Sequence, residues 1–543
     1  MYAEVRVAVN MLIYNTKKPK KLPPSLDLTL TDGRGYCVKN LIFHSFEVTQ
    51  MNTILSFFYI FFYISLQVNA KALSKNLAAE KSPEGHWSKN FAALSIHRRE
   101  DWAVTVKGFN KFVWDFEKTT TENPNGIFAS HGSMVIANSE EASKAHDVDA
   151  GWDWIRIPGT TTMSITLNEA KLVVNRNYSP QSSAGGVIFL GTETLSNGLF
   201  GMNFDQPDYE SEDSNHSFPS VKLRFKKSVF FHKNLLLCLG STIKLTNGPG
   251  FKAQTTLFQD KLNRSSSAFS IKVDGVSKGM TSPFLAMTPN NPSKGASPSI
   301  LLDTKGNSYY IPLSSAPHVR VHIQNQTSEN QKGNPSTGYY ATAWLEHSSV
   351  DASYEYAIYV NTPSYPHTAQ DAWPLQEDQK KLYQVLKQDH IAHVVRFLSA
   401  LDSLTAINPR YGYVIFQPVT TLKWGPIKEV NKRCLIMASE SQTELYIRIS
   451  FPDLEFDTKA VLDTQSDVGP RERFRMESKE NEVQVTLTAD VDITIPSVFV
   501  HESPADYEPV VRVNSSSASP NRGNKIIFTN LKNGFNIEIK LYK

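Results

Sequence analysis

The chain has 543 residues, a formal net charge of +3 at pH 7, 40% hydrophobic residues and 20% charged residues. These proportions exclude a disordered chain, a coiled coil and a polytopic membrane protein. Three cysteines, Cys37, Cys238 and Cys434, are too few for a disulfide-stapled scaffold or a four-cysteine zinc site.

In chain order, residues 1–50 read as an upstream extension, basic at Lys17, Lys18, Lys20 and Lys21, then Pro-rich and unpatterned. Residues 51–70 read as a signal peptide. The apolar run from Ile54 to Leu66 is 13 residues long, short of the roughly 20 that a membrane-spanning helix needs. Val68-Asn69-Ala70 then supplies the small residues of a cleavage site before Lys71. The competing reading is a buried apolar strand or helix. A secreted, extracellular protein beginning near Lys71 is therefore expected, and five glycosylation sequons (Asn177, Asn215, Asn263, Asn325, Asn514) are compatible with it.

Without residues 1–70 the chain carries 49 Lys/Arg and 49 Asp/Glu, so the mature protein is formally neutral. A neutral protein has no global field to steer a polyanion, and any cationic groove must be local. Nucleic acid is excluded as the expected partner.

From about residue 91 the pattern is β almost throughout, with period-two alternation and a turn cluster every ten residues or so. Strands are expected at Val104–Val113, Lys222–Phe231, Leu235–Leu245, Val319–Gln324, Glu444–Phe451, Val483–Ile495 and Asn536–Tyr542. Cys238 and Cys434 fall inside apolar runs and read as buried free thiols. The one amphipathic helix candidate is Gln376–Gln388, with Leu382, Val385 and Leu386 as its stripe. Asn408-Pro409 and Lys423–Lys428 mark a joint, which divides the chain into a large β-sandwich at 86–424 and a smaller one at 425–543. There is no Gly-rich phosphate loop, no His-Glu-x-x-His and no Gly-x-Ser-x-Gly elbow. Residue patterning stops at a secreted, all-β, sugar-binding class.

Specific strings go further. Phe91-Ala92-Ala93-Leu94-Ser95-Ile96-His97-Arg98-Arg99-Glu100-Asp101-Trp102 leads into Val113-Trp114-Asp115-Phe116-Glu117. Gly151-Trp152-Asp153-Trp154-Ile155-Arg156-Ile157-Pro158-Gly159-Thr160-Thr161-Thr162 follows, then Gln254-Thr255-Thr256-Leu257-Phe258-Gln259 and Ala343-Trp344-Leu345-Glu346-His347. In this order the series resembles the central and C-terminal β domains of the family-eight polysaccharide lyases, nearest to the chondroitin sulfate ABC lyases, over roughly residues 86–543. The resemblance implies a large supersandwich followed by a smaller C-terminal sandwich. It also implies a secreted monomer acting on an acidic polysaccharide (chondroitin, dermatan or hyaluronan) by β-elimination at uronic acid.

The same resemblance implies that the base and acid lie mainly on an N-terminal α/α toroid, for which residues 1–85 have no room. Within the β domains it assigns a catalytic role to Glu117, three residues after Trp114. Trp114, Trp152, Trp154 and Arg156 are the candidate substrate-binding residues, each with a core or turn alternative. No cofactor is expected, and bound calcium stays open. Where related lyases place a basic residue after a Glu-Asn pair, this chain reads Glu122-Asn123-Pro124, losing a cation and a backbone donor. The rival expectation is a non-catalytic extracellular carbohydrate-binding protein.

Overall fold

The computed structural model describes residues 83–99, 101–110, 113, 115–116, 123–138, 146–173, 182–189, 195–206, 221–246, 250–262, 271–278, 298–347, 351–360, 382–398, 409–451, 481–492, 498–501, 510–514, 521–531 and 536–543. Among them the protein is built from antiparallel strands, with one short helix, Leu167–Lys171, and single 3-10 turns. No described helix is long and apolar enough to cross a membrane.

Among the described residues the largest sheet has nine strands. Its centre is formed by Ala352–Tyr359, Leu235–Thr246, Lys222–His232 and Asn197–Asp205 in that spatial order. Two four-stranded sheets complete the first block. One runs Gly85–Lys89, Leu94–Arg99, Trp102–Lys107, Ser133–Ala137; the other runs Val319–Glu329, Pro335–His347, Ala253–Lys261, Thr161–Met163. Their inner residues, such as Trp102, Val104, Leu257, Val321 and Ala343, share one core with Met202, Val229, Phe231 and Cys238 of the large sheet.

The second block pairs a seven-stranded sheet with a four-stranded one. Ile436, Ile447 and Ile537 face Val483, Ile526 and Phe528 across its interior. The opposite face of the seven-stranded sheet packs on the large sheet, where Val395, Val414, Leu435 and Met437 meet Leu199, Phe230, Leu237 and Leu239. Both sheets are therefore covered on two sides, which explains why Leu235-Leu236-Leu237 and Leu435-Ile436-Met437 read as unbroken apolar runs. Asn90 adds a polar rivet. Its side chain accepts from Gly186 N at 2.6 Å and donates to Ser450 Oγ at 3.0 Å, joining both blocks.

The all-β architecture is as expected, and three local expectations change. Tyr383–Gln388 is a strand paired with Ala392–Phe397, not the end of a helix, and residues 376–381 lie outside the described set. Val104–Val113 is a strand only within Trp102–Lys107, after which Asn110 and Val113 close a turn. The joint near residue 424 falls inside the second block, because Arg410–Ile415 hydrogen-bonds to Cys434–Glu440. Cys238 and Cys434 are buried free thiols.

Candidate binding cleft

Residues 151–160 form a loop laid over the edge of the sheet that carries Val319–Glu329. Its entry requires glycine: Gly151 has φ +76°, and a Cβ there would lie 2.2 Å from the backbone nitrogen of Gly338. A buried amide relay holds the loop from beneath. Gln259 Oε1 accepts from Asp153 N at 2.7 Å, and Gln259 Nε2 donates to Asp153 O at 3.1 Å and Arg156 O at 3.0 Å. Gln326 Nε2 donates to Gln259 Oε1 at 2.9 Å and to Gly151 O at 3.0 Å, while Gln326 Oε1 accepts from Thr342 Oγ1 at 3.1 Å. Every polar group of this relay that leaves water finds a protein partner, which makes burial of two glutamines tolerable.

The loop fixes Arg156 at the surface. Its Nη1 pairs with Asp153 Oδ2 at 2.7 Å, its guanidinium carbon lies 4.3 Å from the centroid of the Trp344 ring, and its Nε–H has no protein partner. His322 meets the same indole edge-on at 4.6 Å. Burial, then the Arg156 charge, lowers the pKa of His322. Between this loop, the strand residues Gln324–Ser328 and the start of the short helix lies an open cleft of about 280 Å³. The helix is capped by Thr166 and Glu169 in a reciprocal capping box.

The sequence-derived residues divide. Arg156 and Trp154 both line the cleft. Trp154 is 6% exposed and spends its indole N–H on Glu329 O at 2.8 Å, so it is a wall rather than a free platform. Trp152, expected at the substrate, is instead 1% exposed and packed with Trp154 and Tyr340 in a small core; a buried ring has no face for a sugar. Trp114 and Glu117 lie outside the described residues. Between them, Asp115 is fully buried and its charge acts on Lys107.

The described residues after Glu117 meet the turn that follows the cleft strand. Asn125 Nδ2 donates to Asn330 O at 3.4 Å, and Pro124 packs on Gly333, in the turn that follows Glu329. Glu329 in turn pairs with Lys171 at 2.8 Å. Thus the 123–128 segment touches the 330–334 turn, beyond the strand end at Glu329 that Trp154 and Lys171 hold. Gln259 and Gln326 were not identifiable as site residues from sequence. Gln259 closes a recognisable string, but nothing local marks an inward glutamine as a loop anchor.

The family model described as polysaccharide lyase family 8, super-sandwich domain, matches residues 87–372. The chain is 28% identical over 427 residues to the chondroitin sulfate ABC endolyase of Proteus vulgaris, covering 77% of this chain and 38% of that protein. It is 27% identical over 405 residues to the chondroitin sulfate ABC exolyase of Bacteroides thetaiotaomicron, covering 71% of this chain and 35% of the relative. Among solved structures, Paenibacillus xanthan lyase superposes with a TM-score of 0.60 at 18% identity, over 91% of this chain and 41% of that one. The chain thus spans under half the length of these relatives.

Proposed function

The chain belongs to polysaccharide lyase family 8, and on that premise we propose that it forms the β side of a secreted enzyme that cleaves a chondroitin-type acidic polysaccharide by β-elimination. In that reaction a base removes the proton at C5 of the uronate and the 4-O-glycosidic bond breaks, leaving an unsaturated sugar. The adjacent carboxylate opposes carbanion formation unless a cation or hydrogen-bond donor neutralises it.

The observation that carries the reading is Arg156. It is a guanidinium held rigid by Asp153 and Trp344, with its side chain 27% exposed on the wall of a cleft. Such a planar donor suits a sugar carboxylate or sulfate ester. The catalytic carboxylate we assign to the 117–122 segment. Glu117 is the primary candidate, and Glu122 belongs in the same test because it immediately precedes Asn123, at the start of the stretch that packs on the 330–334 turn. The remaining base and acid come from a helical toroid joined to these β domains, so residues 71–543 alone have negligible activity.

Binding of size-defined chondroitin sulfate oligosaccharides to residues 71–543, followed by calorimetric titration, tests the cleft. Saturable binding that Arg156→Gln weakens supports it; binding unaffected by that change removes Arg156 from the site. Secretion is tested by N-terminal sequencing of exported protein, which should begin near Lys71.

A further inference from the structure

Lys227 interrupts an apolar series. Leu223, Phe225, Val229 and Phe231 all point into the core of the first block, and Lys227 occupies the same face of the same strand. It is 0% exposed, and burial lowers its pKa to about 8. A buried ammonium is costly, so what it binds matters. Nζ donates to Gly132 O at 2.9 Å and also to Gly159 O.

Those two carbonyls belong to the loop whose residues 151 and 153–156 line the cleft and to the segment packed behind it. Gly132 ends the stretch that begins at Asn123, and Gly159 ends the loop that carries Trp154 and Arg156. Both glycines have left-handed backbones, φ +79° and φ +81°. A Cβ at Gly132 would sit 2.8 Å from Lys227 Cδ, and one at Gly159 would sit 2.7 Å from Met134 N, so the close approach depends on both glycines. The segments also bond to each other, through Met134 N to Pro158 O at 2.7 Å and Thr161 N to His131 O at 3.3 Å. The ammonium therefore sits behind the point where they join.

We propose that Lys227 is a positioning residue: from the core it fixes the Arg156 loop against the 123–132 segment and so sets the width of the polysaccharide cleft. The proposal rests on the cleft reading above for its ligand, but not for its geometry. Two variants of residues 71–543 test it, Lys227→Met, which has similar length and no donor, and Lys227→Gln, which keeps an amide donor. Replacing a buried charge by an apolar chain of similar volume is often neutral for stability, so fold and positioning separate.

Amide exchange should accelerate in residues 126–134 and 151–161 of Lys227→Met and less so in Lys227→Gln, with the strands Leu235–Thr246 and Glu444–Ser450 unchanged. Affinity for a chondroitin sulfate octasaccharide should fall roughly tenfold in Lys227→Met, well below its melting temperature, with partial recovery in Lys227→Gln. Unchanged exchange in both segments, or an affinity loss that only tracks lowered melting temperature in both variants, would overturn the proposal. Normal exchange acceleration with no binding even by the parent chain would leave the positioning role standing and remove the cleft reading instead.

Discussion

Arg156 lies over the face of Trp344, its guanidinium carbon 4.3 Å from the ring centroid, while Asp153 holds one of its nitrogens at 2.7 Å. The two contacts fix the plane of the guanidinium before any ligand arrives, which lowers the ordering cost of binding. Arg156→Lys keeps the charge but loses the stacked plane and the fork, so it is not a conservative change here. We expect it to weaken oligosaccharide binding nearly as much as Arg156→Gln, by about tenfold, with little change in melting temperature. Trp344→Leu should weaken binding less, because a part-exposed cation–π contact is worth about 0.5–1 kcal/mol. Titration of the three variants at one ionic strength checks the order.

Gln259 makes the loop what it is. Its side chain satisfies three backbone groups of residues 153–156 from inside the protein. Gln259→Leu preserves volume and leaves those groups, and Gln326 Nε2, without their partner. Each orphaned group costs about 1–3 kcal/mol. The variant should melt at lower temperature and lose affinity, whereas Thr342→Val, at the far end of the relay, should do so mildly. Equal melting curves for Gln259→Leu and the parent would show that the relay does not hold the loop.

How much of this was legible in the sequence differs by residue. The alternation of Leu223, Phe225, Val229 and Phe231 predicts a core-facing strand, and the same parity points Lys227 inward, a signal present in the sequence. Gln376–Gln388 misled for a physical reason. Val385 and Leu386 are consecutive apolar residues because a β-bulge between Val385 and Lys387 shifts the register, and that shift mimics helical spacing. The joint near residue 424 misled because Pro and Gly there serve a turn within the second block. Arg156 and Trp154 were readable as loop residues at a cleft; the burial of Trp152 was not, since Trp-Asp-Trp carries no mark of which ring turns inward.

Acid should unfold the protein. His86, His131, His232, His347 and His393 have pKa values lowered to about 3, and His146 to about 4, chiefly by burial. Their unfolded value is near 6.5, so above that pH all are neutral in both states and stability is fully present. Below it the unfolded chain takes up protons that the folded chain refuses, and stability falls toward the folded values. One pKa unit is about 1.4 kcal/mol; a unit from each of five histidines is about 7 kcal/mol, comparable to the 5–15 kcal/mol that holds a domain together. Melting temperature should drop steadily from pH 6.5 to pH 4. His131 sits among Phe109, Phe128 and Phe204, with ring centroids 6.0, 5.0 and 4.6 Å away. His131→Phe should therefore flatten that slope, and an unchanged slope would place the acid sensitivity elsewhere.

The central claim is that these β domains supply a cleft wall and one catalytic carboxylate to a lyase completed by a helical toroid. It is tested most directly by the ultraviolet absorbance of unsaturated uronate released from chondroitin sulfate. Residues 71–543 alone should release none above background. The same residues joined to a compatible family toroid should release it, and Glu117→Gln in the fusion should lower the rate by roughly 100-fold or more, the scale of a lost acid–base partner, with Glu122→Gln measured alongside. Robust release by residues 71–543 alone, or full activity of the fusion in both variants, would contradict the account.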